Sequence, residues 1–178
     1  GLGDVYKRQV IGSVYPLRFE NIFNPTFNQC MIDNNFYGSY FKNCRIVWLL
    51  NTYFQTQETT ATTPVIDVVF NSIAAESVRV LNCRFSNAGT NAKALRITAN
   101  NSNVFDIVIN SNVFDSCGDA ITLQGVSGGA INNAYVSNNS VLNASGTGVS
   151  VLANAQYTNI VSNYFLSMPT GISIGGNY

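Results

Sequence analysis

The feature that most constrains this chain is a short motif that returns six times. Each copy carries an apolar residue at its second place. Asn or a stand-in follows two and three places on, and Phe or Val closes the motif two places later. The copies read CMIDNNF from Cys30, WLLNTYF from Trp48, RVLNCRF from Arg79, VINSNVF from Val108, YVSNNSV from Tyr135 and NIVSNYF from Asn159. Counted on the closing residues Phe36, Phe54, Phe85, Phe114, Val141 and Phe165, the steps are 18, 31, 29, 27 and 24. A drifting period of this size marks a solenoid, whose repeats bury their apolar faces only against their neighbours.

The positions inside the motif divide the work. Met31, Leu49, Val80, Ile109, Val136 and Ile160 stand five places before the closing residue and are expected to form one inward column. Asp33, Asn51, Asn82, Ser111, Asn138 and Ser162 stand three before it; Asn34, Thr52, Cys83, Asn112, Asn139 and Asn163 stand two before it. Asn tolerates the left-handed backbone region and bonds to nearby backbone groups. Asn112, Asn139 and Asn163 are therefore expected to form a turn ladder running from coil to coil, as stacked Asn side chains do in other layered strands.

A second strand follows in the later copies: KALRI from Lys93, DAITL from Asp119, TGVSV from Thr147 and TGISI from Thr170. A small residue is followed by apolar, polar and apolar residues, the period-2 signature of a half-buried strand. These copies repeat at steps of 26, 28 and 23, the same drifting period. A helical repeat needs apolar spacing of three and four over ten or so residues, which is absent, and the Asn, Gly, Ser and Thr between strands disfavour helix. Pro16, Pro25, Pro64 and Pro169 all fall outside the strand cores, as inner strands require.

On these motifs the chain resembles a right-handed parallel β-helix of the pectate-lyase-like superfamily. It is most similar to the repeat regions of phage tailspikes and polysaccharide-processing proteins. The resemblance covers Phe27 onward and is clearest after Val65. It implies an all-β solenoid of about six coils with three strands in many coils, and carbohydrate along an outer sheet face or a groove beside it. It also implies an extracellular or virion-surface protein, and a homotrimer in a full-length parent of tailspike type.

The 178 residues fit one domain. Residues 1–9, GLGDVYKRQ, resemble translated sequencing-adapter read-through and are set aside as a non-native leader. Residues 10–178 are read as the repeat domain, irregular to about residue 64 and regular from 65 to 178. The polar stretch QTQETTATT from Gln55 breaks the period and is expected to protrude as a loop. The ending GISIGGNY follows a strand without a polar cap, so the expectation is a fragment of a longer helix. Net charge is zero and no basic run exists, which disfavours nucleic acid as a partner. The longest apolar run, Ile46 to Leu50, is far too short to insert in a membrane as a helix. Cys30, Cys44, Cys83 and Cys117 lack metal-ligand spacing and are expected as buried free thiols, with Cys30 and Cys44 the pair near enough in sequence for a disulfide. The sequons at Asn100, Asn138 and Asn143 are expected by chance in so Asn-rich a chain.

The chain contains no His, which removes His-based triads, His-metal sites and His acid–base catalysis within it. It also departs from the polygalacturonase branch of the resembled superfamily, which uses His beside carboxylates. Sugar hydrolysis needs two carboxyls at a defined separation, and Asp115 and Asp119 are the pair close in sequence. Stacking Val65–Val68 on Ala94–Ile97 puts Asp67 beside Arg96. Lys93 then meets Asp119, and Thr122 and Ser150 continue the Arg96 column. Asp67, Lys93, Arg96 and Asp119 are thus expected on one outer face. Three readings stay open: a ladder of opposite charges that fixes register, a carbohydrate contact with Arg96 and Asp67, or a lyase-like centre. In the last, Arg96 or Lys93 is the base and Asp67 and Asp119 hold Ca²⁺, although two carboxylates are few for such a site. No other cofactor is expected. Tyr37, Tyr40 and Tyr53 offer a second route to sugar, because an amphipathic ring suits stacking on a pyranose; the alternative is that they cap the first coil. The sequence therefore points to polysaccharide or a cell-surface glycan as partner. The rival is a non-enzymatic structural or adhesive solenoid.

Overall fold

A computed structural model of the protein describes residues 4–6, 9–12, 17–35, 37–56, 64–72, 74–86 and 92–175. Their regular structure is entirely β, in three parallel sheets of seven strands. The first sheet stacks β1 (Asp4–Tyr6), β4 (Thr26–Asn28), β7 (Ile46–Leu50), β10 (Ser77–Leu81), β13 (Asn103–Asn110), β16 (Ala130–Ser137) and β19 (Ala155–Val161). The second stacks β2 (Gln9–Ile11), β5 (Met31–Asn35), β8 (Tyr53–Thr56), β11 (Arg84–Ser86), β14 (Val113–Asp115), β17 (Ser140–Leu142) and β20 (Tyr164–Leu166). The third stacks β3 (Arg18–Glu20), β6 (Ser39–Lys42), β9 (Ile66–Phe70), β12 (Leu95–Asn100), β15 (Ile121–Val126), β18 (Thr147–Val151) and β21 (Thr170–Ile174). The chain visits the sheets in turn, so each strand pairs with its equivalent in the next coil. This is the parallel β-solenoid that the repeats predict.

Alternate side chains of every strand point inward, and stacking turns each inward position into a column. The first sheet contributes Phe27, Leu49, Val80, Ile109, Val136 and Ile160 in register. The second contributes Ile32, Phe54, Phe85, Phe114, Val141 and Phe165. The rings of Phe54, Phe85 and Phe114 stack with centroids 5.2 and 4.7 Å apart. The third contributes Phe41, Val68, Ile97, Leu123 and Val151. The small residue of the second-strand motif has a steric cause. A Cβ at Gly148 would sit 2.5 Å from the Phe165 ring and 2.6 Å from the Gly171 carbonyl, closer than van der Waals contact allows.

One expectation on the inward column is corrected. Met31 is not in it but on the second sheet, paired with Tyr53 and exposed; Phe27 takes the place beside Leu49. CMIDNNF imitates the motif four residues late. The true copy ends at Ile32, which lies opposite Phe54, and the step becomes 22 residues, as between Cys30 and Thr52. Asp33 and Asn34 therefore belong to β5 rather than to a turn. Phe36, most of the expected polar loop and Pro16 lie outside the described residues.

The two Asn-rich positions have separate jobs. Gln29, Asn51, Asn82, Ser111, Asn138 and Ser162, one per coil, have φ between 49° and 57° and turn the chain from the first sheet to the second. The next residue builds the ladder. Asn112 donates from Nδ2 to Asn139 Oδ1 at 2.9 Å, and Asn139 does the same to Asn163 Oδ1 at 2.9 Å. Each Oδ1 also accepts the backbone N–H of the residue one coil back, at 3.0 and 2.9 Å. The second hydrogen of each amide goes to the carbonyl of Val80, Ile109 or Val136. Cys83 ends this run: its N–H bonds to Asn112 Oδ1 at 2.8 Å, and its thiol reaches the Leu49 carbonyl. A further ladder, Asn21–Asn43–Asn71–Asn100, links the turns from the third sheet back to the first. The four cysteines are free and buried. Burial pushes the Cys83 and Cys117 thiols up to about 12.

Candidate functional site

The outer face of the third sheet carries most of the predicted site residues. Its middle outward column runs Arg18, Tyr40, Asp67, Arg96, Thr122, Ser150 and Ser173, one residue per strand. Asp67 and Arg96 meet there with both Asp67 oxygens engaged: Nε donates to Oδ1 at 2.9 Å and Nη2 to Oδ2 at 2.6 Å. The Asp67 bond raises the Arg96 pKa more than burial lowers it. The guanidinium thus holds its proton more firmly, the opposite of what a base needs. Its Nε–Nη2 edge, the one suited to gripping a carboxylate, is already occupied. Tyr40 lies beside Asp67, half-buried, with the Arg18 guanidinium 5.7 Å from its ring centroid. Burial first, then the Asp67 and Glu20 charges, raise the Tyr40 phenol.

Lys93 and Asp119 meet at 2.5 Å where the third-sheet strands begin. Asp119 Oδ1 also accepts the Thr147 amide at 2.9 Å. Burial alone would raise Asp119; the Lys93 bond, the Thr147 bond and the Lys93 charge together outweigh it and hold the carboxyl below its ordinary value. It stays ionised at neutral pH, which suits an ion pair and not the general acid of a glycosidase. Asp115 faces out from the second sheet. Its carboxylate is engaged by Arg84 at 3.4 Å, Ser116 at 3.0 Å and Asn143 at 3.2 Å. Each member of the Asp115–Asp119 pair thus has a cation of its own.

A Ca²⁺ site at Asp67 and Asp119 does not fit these positions. The two carboxylates stand in different columns, two layers apart, and each is neutralised by its own cation, whereas Ca²⁺ takes six to eight oxygens. Among the described residues no group of three or more His, Cys, Asp and Glu side chains comes together. Tyr53 is likewise apart from the Arg96 column: it lies on the second sheet, bonded to Gln55. Tyr37 is half-buried in the turn before β6.

Two site features were missed in the sequence. Arg18 and Glu20 with Tyr40 and Lys42 extend the polar face across the first coils. The signal was present in RFE and SYFK, early copies of the second-strand pattern. The other is the scale of charge pairing. Every Lys and Arg among the described residues with a described side chain is in an ion pair, and all but Arg18–Glu20 join neighbouring coils. A cavity of about 500 Å³ lies elsewhere, against Val151, Ala155, Ile160 and Ile174, whose side chains belong to the inward columns of the last two described coils. It is space beside the core and holds none of the site's charges. No family model matches the chain, and no curated protein matches it.

Proposed function

We propose that this solenoid engages a polysaccharide along the outer face of its third sheet, as part of an extracellular or virion-borne protein. A phage tailspike or a secreted polysaccharide lyase or hydrolase of the pectate-lyase-like superfamily is the parent this reading favours. The observation that carries it is the outward column itself: Arg18, Tyr40, Asp67, Arg96, Thr122 and Ser150, polar in every layer. Strand layers about 4.8 Å apart make that column a track about 24 Å long, matched to a linear polymer lying along the axis. None of the exposed large apolar side chains of the described residues belongs to this column. Because the cations are already paired and the Thr122 and Ser150 hydroxyls are buried, recognition rests on the Tyr40 ring, with Arg18 beside it, rather than on free charge.

The test is a glycan array on the purified protein, repeated with Tyr40→Ala and Arg96→Ala and at two salt concentrations. Binding is expected to weaken with Tyr40→Ala and to change little with salt, since paired charges release few counterions. No binding to any glycan would end the proposal. A second reading, a non-enzymatic structural or adhesive solenoid, draws on the coil-to-coil ion pairs, which serve register without any ligand.

A further inference from the structure

The outer face of the first sheet differs from that of the third in one respect: it presents rings and uncommitted amides. In β13, β16 and β19 the strands carry a stacked irregularity. Asp106, Asn133 and Tyr157 have φ of 52°, 62° and 51° and drop out of the pairing register. Bulges re-aim side chains, and here each layer exposes extra groups on the same face. One outward column reads Phe105, Asn132, Gln156; the next reads Val108, Tyr135, Asn159. Phe105 and Tyr135 are each 45% exposed and Tyr157 is 77% exposed. A left-handed backbone is unfavourable for a bulky residue, so the Tyr157 position, which continues the stack of left-handed residues at Asp106 and Asn133, carries strain. Strain of this kind recurs at functional sites.

The amides decide what such a face fits. Elsewhere strand amides such as Asn28, Asn100, Asn110 and Gln124 are bonded within the stack. Among the described residues, Asn132, Asn133, Gln156 and Asn159 make no side-chain hydrogen bond within the chain, and all lie at the surface. The charged groups of this face, Arg79 and Asp106, hold each other at 2.5 Å. We infer that this face is a second binding surface, for a neutral, hydroxyl-rich polysaccharide. A pyranose offers an apolar ring face to Phe105, Tyr135 and Tyr157, and hydroxyls to the amides between them. A second copy of this chain is a poorer match, because four unbonded amides at the centre of a protein interface would each lose water without a partner. The inference rests on the proposed polysaccharide reading but places contact on a different sheet.

Affinity electrophoresis of the purified protein through native gels tests it. The gels contain dextran, galactomannan, hydroxyethyl cellulose or, as an acidic comparison, polygalacturonate. Retardation is expected in a neutral polysaccharide. Tyr135→Thr, which keeps a strand former in place, is expected to weaken it about five- to tenfold, Asn132→Ala less, while Tyr135→Phe retains most of it. Unchanged retardation in Tyr135→Thr, with loss in Tyr40→Ala, overturns this inference and leaves the proposed function standing. No retardation by any polysaccharide overturns the proposed function and this inference with it. A change in molar mass of Tyr135→Thr by light scattering, without glycan, would show the face closing on another copy and also overturns it.

Discussion

Asn139→Ala tests whether the turn ladder holds the coils together. Asn139 is 1% exposed. Its Oδ1 accepts from the Asn112 backbone at 3.0 Å and from Asn112 Nδ2 at 2.9 Å; its own Nδ2 donates to Ile109 O at 3.0 Å and Asn163 Oδ1 at 2.9 Å. Alanine removes all four. Two of the partners keep a second bond: Asn112 Nδ2 retains Val80 O, and Asn163 Oδ1 retains the Asn139 backbone N–H. The Asn112 N–H is left bare in the interior. One stripped buried donor costs about 1–3 kcal/mol, and each of the three further lost bonds about 0.5–1.5 kcal/mol net, so the expected loss is about 5 kcal/mol. With a urea slope of about 2 kcal/mol/M the midpoint falls by roughly 2.5 M. Thr52 holds the same position in an earlier coil, where its hydroxyl accepts the Cys30 N–H at 3.4 Å and donates to Leu50 O at 2.8 Å. Asn139→Thr is therefore expected to recover part of the loss. The control is Asn159→Ala, on the outer face, with an expected change within about 0.5 kcal/mol. Equal midpoints for Asn139→Ala and the control would refute the ladder, as would a Thr variant weaker than the Ala one.

Three further outcomes follow from the interior and the charge pairs. Phe85 is the middle ring of the stack; Phe85→Ala is expected to cost about 3–5 kcal/mol in chemical denaturation and Phe85→Leu under about 1.5 kcal/mol. Asp119 has a depressed folded pKa, so its contribution is present above the unfolded value of about 3.9 and is lost as pH falls through the lower folded value. In Lys93→Met the carboxyl loses its counter-charge, and acid unfolding monitored by circular dichroism is expected to begin at higher pH; superimposable curves would refute the pairing. Cys83 and Cys117, pushed up to about 12 by burial, are expected to resist a thiol reagent in the native protein and to react on unfolding in guanidinium. Rapid native labelling of either would place it at the surface.

The solenoid was legible because one constraint is written many times. Five of six inward-column residues were found from the motif, and the Asn112–Asn139–Asn163 ladder from its spacing. The error at Met31 arose where the pattern was written least clearly. In the second coil an Ile closes the motif and a Cys stands at the ladder position, so the nearby NNF was the better imitation. The Asp67–Arg96 and Lys93–Asp119 contacts were legible because parallel register converts alignment into contact. What a single motif cannot reveal is how partners share a group. The two-bond Arg96–Asp67 arrangement depends on rotamers, and so does the separate engagement of Asp115 by Arg84. The stacked irregularity at Asp106, Asn133 and Tyr157 was hidden for another reason: it lies before the motif, where apolar alternation alone reads as a plain strand.

Where recognition can occur follows from which polar groups the fold leaves uncommitted. A parallel solenoid sets identical positions about 4.8 Å apart, so any polar residue repeated in a column tends to bond its own copy above and below. That consumes Asn112, Asn139 and Asn163 in one turn, Asn43, Asn71 and Asn100 in another, and the described cations in ion pairs. Groups used in this way hold register and have little left for a ligand. Recognition is then expected where neighbouring coils carry unlike residues, because unlike residues break the ladder and keep their donors and acceptors. The third-sheet column has this character at Tyr40, and the first-sheet face has it at Asn132, Tyr135 and Asn159. Replacing Asn132 by Ser or Gln is accordingly expected to alter which glycan binds while leaving the denaturation midpoint in place. Ladder residues such as Asn139 behave the other way, with stability changed and glycan preference kept. A variant set in which binding and stability always moved together would contradict this division of the surface.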